Sequence, residues 1–387
     1  MKRINEVSGW IFFLFLLVFL YSLMHYYIFM KAHVAFRFSD RAGSWLVFLM
    51  AFLIFAVLLG YLVERIISRS MARLMFNIGY IWFGISFYFV LVHLLIDAYR
   101  IPVYAGGFLS NRDFSNTIPS SKTAFYVSLM LSAVLNIYGY FEAKNIRTER
   151  VVIKTPKLPK GSNSLRIVQI SDVHLGVTIG AKRLKRIIEE VKKAKPDILV
   201  STGDLVDSAR CNIERLIQPL REIQATYGKF AVTGNHEFYW GISQAAKFIK
   251  KVGFTLLRGE GITVAGLINI AGVDDHAAKH FGQASKVSEK DLLSKLPSEI
   301  YTLLLKHMPA VDKQALGHFD LQLSGHSHKG QFFPLNLITP YIYEFGTGLL
   351  DLPNHSRLYV SRGTGVWGPP IRILAPPEIT VIDLVRA

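Results

Sequence analysis

The sequence predicts a helical membrane region followed by an α/β domain. Two observations carry this prediction: four long runs without Asp, Glu, Lys or Arg fill most of the first 143 residues, and after residue 164 short apolar runs alternate with amphipathic ones. The chain has 387 residues, and 51% of them are hydrophobic, a high share for a purely soluble protein. The net charge of +16 is typical of a protein that works beside anionic lipid or on anionic substrates.

Each uncharged run is 19 to 21 residues long, close to the ~20 residues that a helix needs to cross a bilayer. The runs are Trp10–Met30, Ser44–Val63, Phe76–Ile96 and Thr123–Phe141. Buried helices of a soluble protein are the alternative, but four such runs in succession argue against it. We therefore predict a transmembrane region over residues 1–143. The flanking Lys and Arg residues divide 11 against 6, which favours both termini in the cytoplasm.

The remainder of the chain is predicted to hold a linker and one domain. Residues 144–164 are predicted to be a basic linker, because they are rich in Lys, Pro and Gly and disfavour a continuing helix. Residues 165–387 are predicted to form the α/β domain, with a core of short strands. Within it Lys182–Lys193 is an amphipathic helix whose basic face suits either solvent or a membrane surface, and Ala310–Leu316 is a short helix.

Polar motifs directly follow five of the predicted strands. Four of these motifs are Ser171–His174, Gly203–Asp207, Gly234–Glu237 and Gly325–His328, and the fifth strand ends at His307. In α/β folds ligands gather at the carboxyl ends of strands. The side chains expected at this rim are Asp172, His174, Asp204, Asn235, His307, His326 and His328.

This donor set of two carboxylates, one amide oxygen and four imidazoles suits one or two first-row divalent ions. It differs from a cysteine-type structural zinc site and from an all-oxygen calcium cage. The single cysteine, Cys211, excludes a Cys-based zinc site and an intramolecular disulfide. Each motif alone has an ordinary explanation, such as a turn or a helix cap. Together and in order, each after an apolar strand, they are poorly explained by coincidence.

The motif series resembles that of the calcineurin-like metallophosphoesterases, over residues 165 to 387. The motifs that carry it are Asp172-x-His174, Gly203-Asp204-x-x-Asp207, Gly234-Asn235-His236-Glu237, His307 and Gly325-His326-x-His328. The tail from Ser361 to Ile379 further resembles a membrane-associated bacterial branch of phosphodiesterases, which is similar to enzymes that hydrolyse UDP-diacylglucosamine. The resemblance implies a four-layer αββα sandwich behind the four-helix transmembrane region. It also implies two divalent metal ions, drawn from Mn, Fe, Zn or Co, with Mn favoured.

The resemblance implies a role for each motif residue. One metal ion would be held by Asp172, His174, Asp204 and His328. Asp204 would bridge to a second ion, which would be completed by Asn235, His307 and His326. A hydroxide activated by the two ions would attack the phosphoryl group in line.

Two further residues have implied catalytic roles. His236 would face the substrate and stabilise the phosphoryl charge or protonate the leaving oxygen, and Asp207 would orient it. A helix cap or a solvent-facing position is the alternative for Asp207. For Glu237, a role in supporting the metal ligands is left open.

We therefore expect a membrane-anchored phosphoesterase that hydrolyses a phosphodiester or pyrophosphate bond, lipid-linked substrates included. Alternatives are a protein phosphatase or cyclic-nucleotide phosphodiesterase and, in another class, a membrane sensor or transporter with a regulatory phosphoesterase domain. The expected partners are the lipid bilayer and a phosphorylated or pyrophosphate-containing substrate, and no signature indicates nucleic acid. The expected location is the inner, or cytoplasmic, membrane as a multi-pass protein with the catalytic domain in the cytoplasm. Asp274–Phe281 and Phe238–Trp240 are candidates for substrate selection, although a plain surface loop explains the first equally well and packing of the following helix explains the second better.

Overall fold

The computed structural model describes residues 2–176, 179–207, 214–285 and 287–387, without the side chains of residues 2–11 and 13. Cys211 therefore lies outside the described residues. The chain forms two compact units, one of residues 1–140 with 368–370 and one of residues 141–367 with 371–387. Each predicted uncharged run and each predicted strand-end motif can be located within these units.

Four long helices dominate the first unit. They are α1 Lys2–Phe36, α2 Asp40–Ile66, α3 Arg69–Ser110 and α4 Ser121–Lys144. Each contains one of the predicted runs, and by length and composition each is able to span a membrane. The side chains of Ser39 and Ser68 accept hydrogen bonds from the backbone of the first turns of α2 and α3, which explains where these helices begin.

Several ionisable side chains in the first unit are paired. The Asp97 carboxylate lies 2.6 Å from Lys31 Nζ and 3.0 Å from Arg100 Nη1, and it accepts a hydrogen bond from the Tyr27 hydroxyl. The indole of Trp82 on α3 donates to His25 Nε2 on α1 at 2.7 Å. These contacts satisfy polar groups between helices, and they give no reason to assign a transport path.

The second unit contains two six-stranded sheets. The strands are β1 Arg147–Thr155, β2 Ser164–Ile170, β3 Ile198–Ser201, β4 Lys229–Ala231, β5 Thr255–Leu256, β6 Glu260–Val264, β7 Ile268–Gly272, β8 Tyr301–Leu305, β9 Leu321–Ser324, β10 Gly348–Asp351, β11 Arg357–Val360 and β12 Glu378–Arg386. The first sheet has the order β1-β12-β2-β3-β4-β5, and the second has β10-β11-β9-β8-β7-β6. The helices of this unit are α5 Ala181–Ala194, α6 Glu214–Arg221, α7 Asn235–Trp240, α8 Ile242–Lys251, α9 Ala277–His280, α10 Glu289–Leu293 and α11 Leu335–Ile342.

The two sheets pack face to face with helices outside, which gives the predicted four-layer αββα sandwich. Alternation along β3 shows why: Ile198 and Val200 enter the core between the sheets, whereas Leu199 packs toward the outer helices. Buried side chains of α5 and α8 cover the outer face of the first sheet, and α10 covers part of the second. The predicted fold class is thus confirmed.

Two local predictions are wrong. Much of the predicted linker 144–164 is strand β1, which pairs in parallel with β12 over nine residues. Its partner is distant in the chain, so the Lys- and Pro-rich composition alone does not reveal the pairing. Residues 310–316, predicted as a helix, form turns, and the Asp312 carboxylate there accepts from the Gln314 backbone N–H at 2.9 Å.

Candidate metal centre

The five polar motifs lie at the carboxyl ends of β2, β3, β4, β8 and β9, as predicted. Strands β2, β3 and β4 run parallel to one another in the first sheet, and β8 and β9 run parallel in the second. Each sheet therefore brings its motifs to one edge. The backbone N–H of His326 lies 3.1 Å from both carboxylate oxygens of Asp172, which connects the two edges.

One cluster contains Asp172, His174 and His328. The Nε2 atoms of His174 and His328 are 3.0 Å apart, and Asp172 Oδ1 is 3.4 Å from His328 Nε2. All three side chains are buried, and their potential ligand atoms lie within 4.8 Å of one another. This arrangement brings together three of the four side chains predicted for one ion.

A second cluster contains Asp204, His307 and His326, with Asn235 beside them. His307 Nε2 is 3.2 Å from Asp204 Oδ2, 3.1 Å from His326 Nδ1 and 3.2 Å from Asn235 Oδ1. The same Asp204 oxygen lies 3.8 Å from His174 Nε2 in the first cluster. Asp204 thus lies between the two clusters, which is the position expected for a bridging carboxylate.

Backbone strain is concentrated at these residues. Asp172, His174 and Asp204 have φ of 52°, 52° and 50°, and His326 and His328 have 68° and 47°. Non-glycine residues in this left-handed region are uncommon, and such strain persists where the surrounding structure enforces it. Close backbone approach adds to the constraint, since a Cβ on Gly203 would lie 2.7 Å from the Gly234 nitrogen and from His307 Nδ1. The backbone at the predicted ligands thus adopts conformations that bring their side chains together at a cost in local stability.

The chemistry of the clusters fits cations. His307 Nδ1 lies 2.8 Å from the carbonyl oxygen of Thr202, so Nδ1 donates to that oxygen and Nε2 faces the cluster. Burial alone would lower the pKa of His307, but the charge of Asp204 raises it well above its ordinary value. A positive charge at Nε2 is therefore favoured, and a divalent ion there would replace the proton.

Arg372 contacts both the backbone and the ring of His328. Its guanidinium is fully buried and donates to the carbonyl oxygens of Arg362, Gly365, His328 and Ala375 at 2.6 to 3.1 Å. Nη2 also lies 3.0 Å from His328 Nδ1, and burial together with Arg372 holds the pKa of His328 well below its ordinary value. Because a guanidinium only donates, His328 Nδ1 is the acceptor in this contact.

His236 and Asp207 form a pair beside the first cluster. His236 Nδ1 is 2.6 Å from Asp207 Oδ1, and the ring centroids of His236 and His174 are 4.7 Å apart. Burial alone would lower the pKa of His236, but Asp204 and Asp207 raise it to about 9. Burial would raise the pKa of Asp207, but its contacts with the two histidines hold it well below its ordinary range. The structure thus places the Asp207 carboxylate in contact with His236, and the role of Asp207 in orienting that ring stays a prediction.

Glu237 organises the loop that carries Asp204. Its fully buried carboxylate accepts from the backbone N–H groups of Asp204, Leu205, Val206 and Gly234 at 2.7 to 3.2 Å. Burial and the charge of Asp204 raise the pKa of Glu237 to about 7. Glu237 thus fixes the backbone at Asp204 and just after it, and at Gly234, directly before Asn235.

The stretches proposed for substrate selection are mostly structural. Phe238 is buried, and the ring of Trp240 packs against Phe248 of α8. Tyr239 is half-exposed, with its ring 5.4 Å from that of His236. Asp274 forms a two-pronged ion pair with Arg258. Of these residues Tyr239 alone combines exposure with proximity to the candidate catalytic pair.

Arg183 and Tyr343 occupy positions that the sequence did not predict. Arg183, predicted on the basic face of α5, instead donates to the carbonyl oxygens of Ala143 and Thr364. Tyr343, which no sequence motif singled out, places its ring 5.4 Å from that of His326 and perpendicular to it. An aromatic side chain shortly after a His-x-His motif is a signal too weak to use without the fold.

Comparison with known proteins agrees with the site. The family model for calcineurin-like phosphoesterases matches residues 165–330. An uncharacterized metallophosphoesterase of Aquifex aeolicus is 38% identical over 257 residues, which cover 66% of this chain and 98% of that protein. A transmembrane protein with a metallophosphoesterase domain from Danio rerio is 34% identical over 275 residues, 67% of this chain and 62% of that protein.

A third relative is an uncharacterized metallophosphoesterase of Campylobacter jejuni. It is 33% identical over 262 residues, covering 67% of this chain and 69% of the relative. The family match begins at the start of β2 and ends two residues after the second histidine of the His326–His328 pair. The motifs, the sandwich and these relatives together show that the chain belongs to the calcineurin-like phosphoesterase family.

Proposed function

We propose that the chain is a membrane-anchored phosphoesterase that uses two divalent metal ions to hydrolyse a phosphodiester or pyrophosphate bond. The observation that carries the proposal is the position of Asp204, whose Oδ2 lies 3.2 Å from His307 Nε2 and 3.8 Å from His174 Nε2. A carboxylate between two clusters of imidazoles is suited to bridge a pair of ions. The family membership supports phosphoester chemistry at this position.

Each ion has a proposed set of ligands in the chain. Asp172, His174, Asp204 and His328 would hold one ion, and Asp204, Asn235, His307 and His326 would hold the other. When bound, the two ions supply Lewis-acid activation of water and neutralise charge on the phosphoryl oxygens. Two divalent cations against two carboxylates leave a net charge of about +2 at the site, which favours an anionic substrate.

His236 is the proposed catalytic residue. With its pKa raised to about 9, its imidazole is protonated at neutral pH, so it can stabilise the phosphoryl charge and donate a proton to the leaving oxygen. Asp207 is a positioning residue, because its contact with Nδ1 directs the opposite ring nitrogen, Nε2, away from the Asp207 carboxylate. The His236–Asp207 pair therefore keeps a proton on the imidazole beside the first cluster.

The proposed substrate is at a membrane surface. Four helices able to span a membrane precede the site, and one relative is named as a transmembrane protein. The resemblance of the Ser361–Ile379 tail to enzymes that hydrolyse UDP-diacylglucosamine supports a lipid-linked pyrophosphate as the first candidate. The distribution of basic residues supports a multi-pass protein of the inner membrane with this unit in the cytoplasm.

The test compares the full chain with Asp204→Asn in detergent, with Mn²⁺ supplied and metal content measured by mass spectrometry. We expect the parent to hydrolyse bis(p-nitrophenyl) phosphate and to bind two ions per chain. Asp204→Asn should lose hydrolysis and both ions, whereas the matched surface variant Glu260→Gln should keep both. Hydrolysis at the parental rate by Asp204→Asn would refute the proposal. A panel of a phosphoprotein, a cyclic nucleotide and a UDP-linked lipid then separates the substrate classes.

A further inference from the structure

Helix α11 exposes a run of apolar side chains shortly after the candidate metal centre. Leu337 and Ile338 are 59% and 49% exposed, and Tyr341 and Ile342 are 89% and 67% exposed. Only Thr339 of this helix is buried, and its hydroxyl donates to the Leu335 carbonyl oxygen. Soluble surfaces rarely present contiguous apolar patches of this kind unless they bind a partner or a membrane.

The charge of this segment favours a lipid surface as its occupant. From His328 to Tyr343 there is no Asp or Glu, and Lys329 is the one Lys or Arg. A surface that combines aliphatic and tyrosine side chains with a basic residue suits the boundary between acyl chains and anionic headgroups. The connectivity of the chain also favours a bilayer as the occupant, since two residues, Asn145 and Ile146, separate the membrane-length helix α4 from β1.

The helix is fixed to the candidate metal centre at both ends. Before it, Gly330 approaches α11 so closely that a Cβ there would lie 2.7 Å from the Asn336 nitrogen. After it, Tyr343 packs edge-on against the ring of the predicted ligand His326. Docking of α11 would therefore set the position of the site relative to whatever surface α11 enters.

We propose that α11 is a membrane-docking helix that inserts Leu337, Ile338, Tyr341 and Ile342 among the acyl chains of the bilayer. Docking brings a lipid headgroup with a phosphodiester or pyrophosphate to the metal centre. The second statement rests on the proposed function, whereas the insertion itself does not. The two are therefore tested by separate measurements.

Insertion is tested on the full chain in lipid nanodiscs without any assay of activity. Cys211 is the only cysteine, so Cys211→Ser gives a background in which Tyr341→Cys is labelled with the fluorophore NBD. The matched control is Val152→Cys, because Val152 is 62% exposed on β1. We expect spin-labelled lipid to quench NBD at 341 strongly and NBD at 152 weakly. Equal, weak quenching at both positions would overturn the proposal, and a protein partner or second copy would then be the occupant.

Delivery of substrate is tested with the variant Tyr341→Gln/Ile342→Gln. We expect turnover of the UDP-linked lipid in vesicles to fall about tenfold, because less apolar surface can enter the bilayer. Hydrolysis of bis(p-nitrophenyl) phosphate should stay within about twofold of the parent, since neither side chain belongs to the metal centre. Equal loss on both substrates, or loss on neither, would contradict delivery. If the parent itself hydrolysed neither substrate, the proposed function would fail while the quenching result still decided insertion.

Discussion

At the strand ends Asp204 and His307 are 2% and 0% exposed, whereas on α11 Tyr341 and Ile342 are 89% and 67% exposed. The strand ends bury charged and polar groups behind dense hydrogen bonding and strained backbone, as at Asp172 and His328. Helix α11, in contrast, leaves large apolar side chains exposed. Both regions depart from the ordinary distribution of polar and apolar groups, in opposite directions. Such departures carry a cost in stability, and they indicate where the molecule meets its ligands.

Among the substitutions that test this comparison, we expect the largest effect from the replacement of Arg372. Arg372→Ala leaves several buried carbonyl oxygens without donors and should cost about 3 kcal/mol or more of unfolding free energy. That loss lowers the thermal midpoint of the second unit by roughly 6–12 °C. Arg372→Lys, which keeps a charge but lacks the planar fork, should lose less. The thermal midpoint of the control Tyr341→Gln should stay near that of the parent. An equal fall of the thermal midpoint in Arg372→Ala and Tyr341→Gln would contradict the difference between the two regions.

His236→Ala tests the chemistry of the strand ends without removing a predicted ligand. We expect kcat to fall about 10²- to 10⁴-fold, because the proton donor to the leaving oxygen is lost. Metal content should remain at the parental value, in contrast to Asp204→Asn. His280→Ala is the control, since that histidine is exposed on α9. Loss of metal in His236→Ala would instead assign it to the ligands.

A smaller effect is expected from Asp207→Asn, measured as the pH profile of kcat/KM. In the proposed mechanism His236 acts in its protonated form, and the neighbouring carboxylates raise its pKa to about 9, so activity should be retained at neutral pH and fall as pH rises through that value. Asp207 raises this pKa, and its neutral replacement should move the alkaline limb down by about 1 pH unit or more. An unchanged limb would mean that Asp207 does not set the protonation of His236.

The strand-end residues were predictable because their signal is local: a short apolar strand followed at once by Gly, Asp or His. The four long helices were predictable for a similar reason, since Ser44–Val63 and the other runs exceed an ordinary buried helix in uncharged length. Pairing between distant segments was not predictable. Strand β1 depends on β12, and Arg372 lies 44 residues from the His328 ring that it contacts.

The role of Glu237 was predictable only in part. Its position after Asn235 and His236 suggested a supporting role, but four backbone donors on two loops meet its carboxylate only in the folded chain. Helix α11 was missed for a different reason. It is eight residues long, contains Pro340 and has no charged residue, so it lacks the charged face that identifies a surface helix.

The pairing of β12 has a consequence for how the protein is made. In the first sheet β12 lies between β1 and β2, although it begins 208 residues after β2 ends, at residues 378 and 170. During synthesis β1 and β2 therefore emerge long before the strand that joins them, and their unpaired edges are open to the wrong neighbours. The segment leading into β12 also carries Arg372, so a nascent chain halted before residue 372 holds the predicted metal ligands without the support of that guanidinium. Maturation of the centre is thus a late event, reached only after nearly the whole polypeptide has been translated.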